Sequence, residues 1–446
     1  MGILPLTYRR PDYVDKDEFR RSESGAESDA ERNASLESGR SGASSGIPEA
    51  LTFDKIMNGG TCPPCTVRDF MNYLVYIEHS AENLQFFLWY HDYVARFHEA
   101  PASEIALAPE WTQAMEEDAM TKIQRAVVEK AKKTSPAAMD IFKGTDFDTD
   151  TSAEIHVQSR DPFSTPPRFS AEDSVSLSES QATTPTSQAG DAFYAAGVKR
   201  PFTIQPFRAE INRVIATYIV EGSPRQLNLS AREQKAVVQA LSYTTHPSAL
   251  RTLARTIENT LRRQAHPNFI RWTICNGNPA RVTFARGLGA GSMLAAAAGS
   301  VLLTLSSAGR GWRGLFAPLW VFGIATLMTA IKGMCVVLHG LHHRHVRPWE
   351  LFADDDNNNN NNDEASGDKR SFDSFGSCNS YEDEPWVVRY EKRFYVRKVF
   401  DREVWIQEPA LRQIQDTIFV QSLLSALLGA GVLTAIFVAV PGGGFF

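Results

Sequence analysis

Apolar residues recur every three or four positions through residues 67–97, which is the spacing of one helix face. Ser80 stands where a helix N-cap is favoured, and Glu82 falls in the following turn, where the helix dipole favours an anion. Such a face is stable only when something covers it. The pattern therefore predicts two helices, joined at residues 78–80, that pack against each other.

A second helical pattern begins at Pro206 and continues to about residue 264. Ser230 is predicted to cap a helix over residues 231–241, and Glu233 at the third helical position completes a capping box. A further helix is expected over about residues 248–264.

Between these two patterns, the periodicity is lost over much of residues 101–200. Residues 111–133 fit one amphipathic helix with a basic end, whereas residues 134–190 have the Ser-, Thr-, Pro- and Asp-rich composition of a linker. We therefore expect a long, mostly disordered insertion. The N-terminal tail, residues 1–50, has almost no bulky apolar residues beyond residue 9 and is also expected to be disordered.

Three long apolar segments follow, over residues 287–308, 315–340 and 418–440. Each reaches the roughly 20 residues that cross the hydrocarbon of a bilayer. The sequence thus predicts a pair of transmembrane helices within residues 284–340 and a third near the C-terminus. Lys332 is costly in the middle of a bilayer, and we expect it to pair within the helix bundle.

The placement of arginine and lysine predicts the orientation. These residues are frequent before the first segment and between the second and third, whereas Arg310 and Arg313 stand alone in the first turn. Cytosolic loops carry the excess of such cations. We expect a multi-pass protein of the plasma membrane or cell cortex, with a cytosolic N-terminus, a cytosolic loop over residues 341–417 and an extracytosolic C-terminus.

Gly287 and Gly291 place small residues on one stripe of the first apolar segment, and Ala295 and Gly299 extend it. Such stripes let two helices approach closely. The stripe fits pairing with a membrane partner protein or a second copy of the chain. It fits packing against the other two segments equally well.

The loop over residues 341–417 contains segments of different composition. Four histidines lie next to its start: His339, His342, His343 and His345. No carboxylate or cysteine completes an evident metal site there, and basic residues beside a membrane usually touch anionic headgroups, so no metal ion is predicted. Residues 353–384 are expected to be flexible. Residues 386–407 alternate aromatic or β-branched residues with cations, which fits a short strand pair or an interfacial helix.

Composition narrows the functional classes. The net charge of −6 argues against a nucleic-acid binder, and the five scattered cysteines form no disulfide framework. Cys62 and Cys65 make a C-x-x-C pair without a βαβ context or a second ligand pair, so we predict a rigid turn there. No nucleophile–base pair, phosphate-binding loop or pair of catalytic carboxylates is recognisable. We expect a protein that is not an enzyme and uses no cofactor.

Residues 82–89, ENLQFFLW, resemble the signature of the RGS family, the regulators of heterotrimeric G-protein signalling. The start at Leu51–Ile56, the SPRQLNL run at residues 223–229 and the Pro-Asn-Phe run at residues 267–269 occur in the family's order. The resemblance covers about residues 51–100 and 201–273. It implies an all-α, RGS-like helical bundle over residues 51–275, from which the insertion loops out, followed by the three transmembrane helices.

The resemblance also implies a partner. The family residues that match Glu82, Asn83 and Asn228 face a G-protein α subunit, Gα, and the one that matches Asn228 lies beside the catalytic glutamine of the GTPase. Taken alone, Glu82 also fits a residue that complements the helix dipole, Asn83 a surface residue, and Asn228 a turn residue.

Two positions depart from the family pattern. Arg251 stands where family members usually carry an acidic residue, and Asn268 replaces the arginine of the family's Pro-Arg-Phe run. A cation does not mimic an acid that caps a Gα backbone amide. Both changes weaken the expectation of GTPase activation without touching the expected fold.

Two hypotheses follow. In the first, the chain is a membrane-anchored RGS-domain protein that binds Gα and activates its GTPase by holding the switch regions. In the second, it resembles fungal bud-site-selection and cell-polarity landmark proteins, which have this layout. There the RGS-like domain acts as a protein-interaction module without GTPase-activating activity. Asn228 favours the first hypothesis and Arg251 the second.

Overall fold

The computed structural model describes residues 8, 10–25, 46–126, 185–198, 201, 204–223, 225–357 and 385–443. Helices make up 72% of this part of the chain and strands 2%, so the expected, mainly helical fold class is confirmed. Residues 127–184 and 358–384 lie outside the described residues. They include the end of the helix expected over residues 111–133, most of the linker expected over residues 134–190 and most of the flexible stretch expected over residues 353–384.

Two compact units make up the chain. The first comprises Met1–Trp89 and Ala254–Phe446, and the second comprises Tyr90–Leu253. The first unit therefore joins residues 51–89 and 254–275 to the apolar C-terminal segments, which differs from the boundary at residues 275–284 expected from the sequence. The hydrogen bond from the Cys62 amide to the Glu408 carboxylate, 2.7 Å long, is one of the contacts responsible.

The first unit begins with helices α1 (Lys16–Gly25), α2 (Phe53–Met57) and α3 (Val67–Tyr73), and α3 runs into a π-helical turn over Leu74–Glu78. Helix α4 (Ala81–Glu99) starts in this unit, and its residues from Tyr90 onward belong to the second. The two helices predicted on either side of residues 78–80 are thus confirmed.

The expected disorder of the N-terminal tail is wrong for residues 10–25. Residues 16–25 form α1. Before this helix, Arg10 donates from its Nη1 to the carbonyl oxygen of Lys332 over 2.9 Å. The side chain of Asn268 accepts from the amide of Val14 at 2.9 Å and donates to its carbonyl oxygen at 2.8 Å. Hydrogen bonds to distant peptide groups, which composition does not indicate, therefore fix this polar stretch.

The second unit contains mainly helices. They are α5 (Ala102–Ile105), a helix over residues 113–126, α6 (Pro185–Ala195), α7 (Arg208–Val214) with a π-helical turn over Ile215–Ile219, and α8 (Ala231–Tyr243). Its last residues begin α9 (Arg251–Thr260). Helix α6 lies in the expected insertion, yet Phe193 is buried and α6 packs against α7 and α8. The expected disorder is therefore wrong for residues 185–195.

Aromatic residues form the core of each unit. In the first, Phe53 of α2 lies 5.6 Å from Phe87, and Phe70 of α3 lies 4.9 Å from Phe269 of α10 (His266–Thr273), measured between ring centroids. In the second, the ring of Tyr93 lies 5.7 Å from that of Phe207. Residues far apart in the sequence thus share a core within each unit.

The first predicted membrane segment is helix α11 (Pro279–Leu305), which begins earlier than expected because Asn278 caps it and Pro279 occupies its first turn. The second is a 3-10 turn over Arg310–Phe316 followed by α12 (Ala317–Ile331). The expectation that this segment continues to residue 340 is wrong. Lys332 ends the helix, and Gly333 has a left-handed φ of 79°, a conformation that terminates helices.

The loop over residues 341–417 follows the short helix α13 (Val336–Gly340). It contains strand β1 (His343–His345), helices α14 (Pro348–Asn357), α15 (Pro385–Glu391) and α16 (Tyr395–Val399), and strand β2 (Glu403–Trp405). Strands β1 and β2 are antiparallel, with His343 opposite Trp405. Residues 386–407 therefore adopt neither expected form, because their strand pairs with the histidine segment.

The third long helix is α17 (Pro409–Ala439). Three segments are long and apolar enough to cross a membrane: Pro279–Leu305, Arg310–Ile331 and Pro409–Ala439. The expectation of three candidate spans is thus confirmed. Lys332 lies at the end of α12, where its Nζ is 3.4 Å from Oε1 of Gln421 on α17.

Glycines decide how closely α11 and α12 approach. A Cβ at Gly289 would lie 2.9 Å from the amide nitrogen of Leu327 and 3.0 Å from the carbonyl oxygen of Gly323. A Cβ at Gly287 or Gly291 would meet no described atom within 4 Å. The contact between the two helices therefore uses Gly289. Of the expected stripe, Gly287 and Gly291 lie on another face, whereas a Cβ at Gly299 would meet the ring of Phe316.

Candidate functional site

The polar start of α4 carries two of the expected Gα-facing residues. Glu82 and Asn83 follow Ala81, the first residue of the helix, and both side chains are half-buried. The amide of Asn83 donates to the carbonyl oxygen of Ser80 over 3.3 Å, which fixes the first turn. A carboxylate and a carboxamide are thus presented side by side at a helix N-terminus, where backbone amides are unpaired and the dipole is positive.

The apolar part of the same motif is buried apart from Leu88, which is half-buried. Leu84 and Phe86 are completely inaccessible, and Trp89 retains 6% of its surface. The rings of Phe86 and Trp89 lie 5.5 Å apart, and Phe87 packs edge-on against Phe53. The helix start therefore divides into an apolar side inside the first unit and a polar pair at its edge.

A half-buried acid, Glu78, lies just before this start. Glu78 accepts a 2.7 Å hydrogen bond at Oε1 from Nε2 of Gln264. Burial raises the pKa of the Glu78 carboxyl, and the hydrogen bond from Gln264 acts in the opposite direction. Since Glu78 contacts residues of the protein's own core, its role is to position the turn before Ser80.

Asn228, the third expected residue, lies in a tight turn of the second unit. Its side chain is exposed, while the preceding Leu227 is buried. The amide of Leu227 donates to the carbonyl oxygen of Tyr218 at 2.9 Å, and the amide of Leu229 donates back to the carbonyl oxygen of Leu227 at 2.8 Å. The buried leucine and these two bonds direct Asn228 outward.

The helix start after this turn is as predicted. Ser230 accepts from the amide of Glu233 over 3.2 Å, and the Glu233 carboxylate accepts from the amide of Ser230 over 2.8 Å. The predicted capping box is therefore confirmed. Glu82 and Asn83 belong to the first unit and Asn228 to the second.

The two departures from the family pattern have definite structural settings. Arg251 is the first residue of α9 and is half-buried. Asn268 is 2% exposed and binds both peptide groups of Val14. At this position the carboxamide thus anchors the N-terminal segment.

The Cys62–Cys65 pair forms the predicted turn, with the amide of Cys65 donating to the carbonyl oxygen of Cys62 at 2.9 Å. Both cysteines are free. The carbonyl oxygen of Pro63 accepts from the amides of Gln407 and Glu408, at 3.1 and 3.2 Å. The turn therefore contacts the start of α17.

Sequence reasoning missed a second cluster. His339 and His342 lie near Asp416 of α17, and one ligand atom from each of the three falls within 4.8 Å of the others. The histidines were visible as a group, but Asp416 stands far along the chain, and no local spacing signals it.

No family model matches this sequence, and no curated protein or solved structure matches it either.

Proposed function

We propose that this protein is a membrane-anchored regulator of the RGS type, which binds a Gα subunit through Glu82, Asn83 and Asn228. One observation supports it most. In the eight-residue stretch that resembles the family signature, residues 82–89, Glu82 and Asn83 are half-buried at the helix start. The six residues after them, Gln85 included, are buried apart from the half-buried Leu88. This division leaves the polar pair partly accessible to a partner.

In the proposed mechanism, the protein supplies no group that reacts. Glu82 and Asn83 offer a carboxylate and a carboxamide to backbone amides and polar groups of the Gα switch segments. Asn228, exposed on its turn, offers a second carboxamide next to the glutamine that orients the attacking water. Holding those segments in the geometry of hydrolysis lowers the barrier by preorganisation.

The candidate spans support the proposed anchoring in a membrane. Gα subunits are tethered to the inner membrane leaflet, and a regulator anchored in the same membrane meets them at a raised effective concentration. The distribution of arginine and lysine supports a cytosolic N-terminus, a cytosolic loop and an extracytosolic C-terminus. The proposed cellular location is the plasma membrane or cell cortex.

The second candidate is a cortical landmark protein of the fungal bud-site-selection type, whose RGS-like region binds a partner without activating a GTPase. Arg251 favours it, because a cation occupies the start of α9 where the family uses an acid. The two candidates differ in whether binding depends on the nucleotide state of Gα.

The test uses the full chain in lipid nanodiscs and a panel of purified Gα subunits. Each Gα is loaded with GDP alone or with GDP and fluoroaluminate, which mimics the phosphoryl group in transfer. We expect tight binding of the fluoroaluminate form by at least one Gα. Glu82→Ala and Asn83→Ala should each weaken it about 5- to 100-fold, corresponding to ~1–3 kcal/mol per hydrogen-bonded contact.

Glu99→Ala is the matched control, since it removes an exposed carboxylate at the other end of α4 and should leave the affinity unchanged. Equal affinity for both nucleotide forms across the panel, or equal effects of Glu82→Ala and Glu99→Ala, would refute the proposal.

A further inference from the structure

His339 is a buried histidine whose ring lacks a normal hydrogen bond. It lies in α13 with 6% of its surface exposed, and its Nδ1 has no hydrogen-bond partner among the described residues. Its Nε2 is 3.5 Å from Oδ1 of Asp416, beyond the 2.7–3.2 Å of an ordinary hydrogen bond. Buried polar groups are nearly always paired, so this imidazole needs an explanation.

His342 is held in a fixed orientation next to it. Its amide and its Nδ1 both lie at hydrogen-bond distance from the carbonyl oxygen of His339, at 2.8 and 3.0 Å. A carbonyl only accepts, so Nδ1 carries the proton and Nε2 keeps its lone pair. This arrangement, a backbone carbonyl that fixes the tautomer, is typical of histidines that bind metal ions.

The backbone of His342 is constrained as well. Its φ is 56°, in the left-handed region that non-glycine residues rarely adopt. Its carbonyl oxygen accepts from the amide of Ile406, next to strand β2, at 2.9 Å. Such a conformation persists only where the surroundings impose it, and here it turns the ring of His342 toward that of His339, with centroids 5.9 Å apart.

Asp416 supplies the carboxylate from α17. It is half-buried, and Phe419 from the same helix packs on the ring of His339 with centroids 4.8 Å apart. One ligand atom each from His339, His342 and Asp416 lies within 4.8 Å of the other two. Two imidazoles and one carboxylate therefore converge next to the ring of Phe419.

From this convergence we propose that His339, His342 and Asp416 bind a divalent transition-metal ion of the zinc class. Zinc takes histidine nitrogen and carboxylate oxygen at about 2.0–2.2 Å, so ligands of a tetrahedral site stand ~3.4 Å apart. The distance of 3.5 Å between His339 and Asp416 already fits, and the ligand atom of His342 lies within 4.8 Å of both. Three protein ligands leave one position open for water or a ligand from a partner.

A simple ion pair between His339 and Asp416 is the competing explanation. It leaves Nε2 of His339 3.5 Å from Oδ1 of Asp416, too far for an ordinary hydrogen bond, and it gives His342 no part in the cluster. A metal ion accepts a lone pair from each imidazole and so uses all three residues. The bound ion would join α13, which follows the second candidate span, to α17, which forms the third.

The experiment is a titration of the full chain, without a histidine tag, in nanodiscs after treatment with a chelator. The probes are Zn²⁺, measured by calorimetry, and Co²⁺, whose visible ligand-field absorption reports low-coordinate nitrogen and oxygen ligation. We expect one ion per chain, released again by the chelator, and a rise in the unfolding temperature when Zn²⁺ is added. His339→Gln and Asp416→Asn should each weaken binding at least about 100-fold.

His343→Gln is the matched control, because His343 lies in the same segment and its Nδ1 is 3.9 Å from Glu403, outside the cluster. It should bind the ion as the unaltered chain does. X-ray absorption of the unaltered, Zn²⁺-loaded chain gives a reading that needs no variant to fold, with nitrogen and oxygen neighbours at about 2.0–2.1 Å. No binding by the unaltered chain, sulfur neighbours, or equal binding by His339→Gln and His343→Gln would overturn the proposal.

Discussion

Arg313 donates from Nη1 to the carbonyl oxygen of Phe437 over 2.9 Å, which ties the turn after the first candidate span to the end of the third. The same nitrogen also reaches the carbonyl oxygen of Val440 at 2.5 Å, and the side chain is 1% exposed. The last carbonyl groups of a helix have no partner within it, and a cation there also interacts favourably with the helix dipole. Arg313 therefore caps α17 from another element.

Replacing Arg313 by methionine should lower the free energy of unfolding by ~1.5–3 kcal/mol, since it removes charge-assisted hydrogen bonds and leaves the terminal carbonyl groups of α17 unpaired. Arg310→Met, at an exposed position of the same turn, is the control and should change little. Thermal unfolding of both variants in nanodiscs is the measurement. Equal stabilities would show that the contact contributes nothing.

The glycines of α11 have different roles. Gly289→Val should destabilise the chain by about 1–3 kcal/mol, because a side chain there meets the backbone of α12. Gly291→Val should leave the unfolding of the single chain unchanged, since no described atom is near. If the first span pairs with a second copy through Gly287 and Gly291, one of the alternatives that the stripe allows, Gly291→Val should reduce the dimer fraction measured by cross-linking. A stable Gly289→Val variant would contradict this assignment.

His266 should make the stability of the first unit depend on pH. Its Nε2 donates to the carbonyl oxygen of Leu51 over 2.8 Å, and burial lowers the pKa of His266 from 6.5 to about 4. The unfolded chain therefore binds more protons between these values, so the stabilisation is complete above about pH 6.5 and is lost as the pH falls toward 4. The loss is up to about 3 kcal/mol.

The measurement is denaturant unfolding of the unaltered chain and of His266→Gln between pH 4 and about 7.5. Other buried histidines titrate in both proteins, so the difference between the two curves isolates His266. A difference that does not change with pH would mean that His266 is not held neutral.

The proposed orientation has a direct test. A protease cleavage tag after Phe446 should be cut on intact cells, and the same tag inserted within residues 358–384 should be cut only after permeabilisation, since the arginine-rich loop is proposed to be cytosolic. Protection of the C-terminal tag on intact cells would invert the orientation and remove Gα as an accessible partner.

Local sequence patterns predicted the helices well. They did not predict contacts between residues that lie far apart in the sequence. The spacing that placed Leu84 and Phe87 on a core face and the capping box of Ser230 and Glu233 depend on residues within one or two turns. The approach of Asp416 to His339 depends on how the chain folds back.

The end of the second span is another feature that local sequence patterns did not predict. Its apolar composition continues to residue 340, but the helix stops at Ile331 because Gly333 takes a left-handed conformation against Cys275. Residues 10–25 have the composition of a disordered segment and are nevertheless fixed by contacts of Arg10 and Asn268. For the candidate site, the sequence and its resemblance supplied Glu82, Asn83 and Asn228, and the structure added their local settings.

The most direct test of the central claim is single-turnover GTP hydrolysis by Gα with and without a saturating amount of the full chain in nanodiscs. The account predicts acceleration of more than about tenfold, equivalent to ~1.4 kcal/mol of barrier. Asn228→Ala should lose that acceleration, and the control Lys235→Ala, at an exposed position of α8, should keep it. An unchanged rate for every Gα at saturation would contradict the account and leave the landmark-type interaction module in its place.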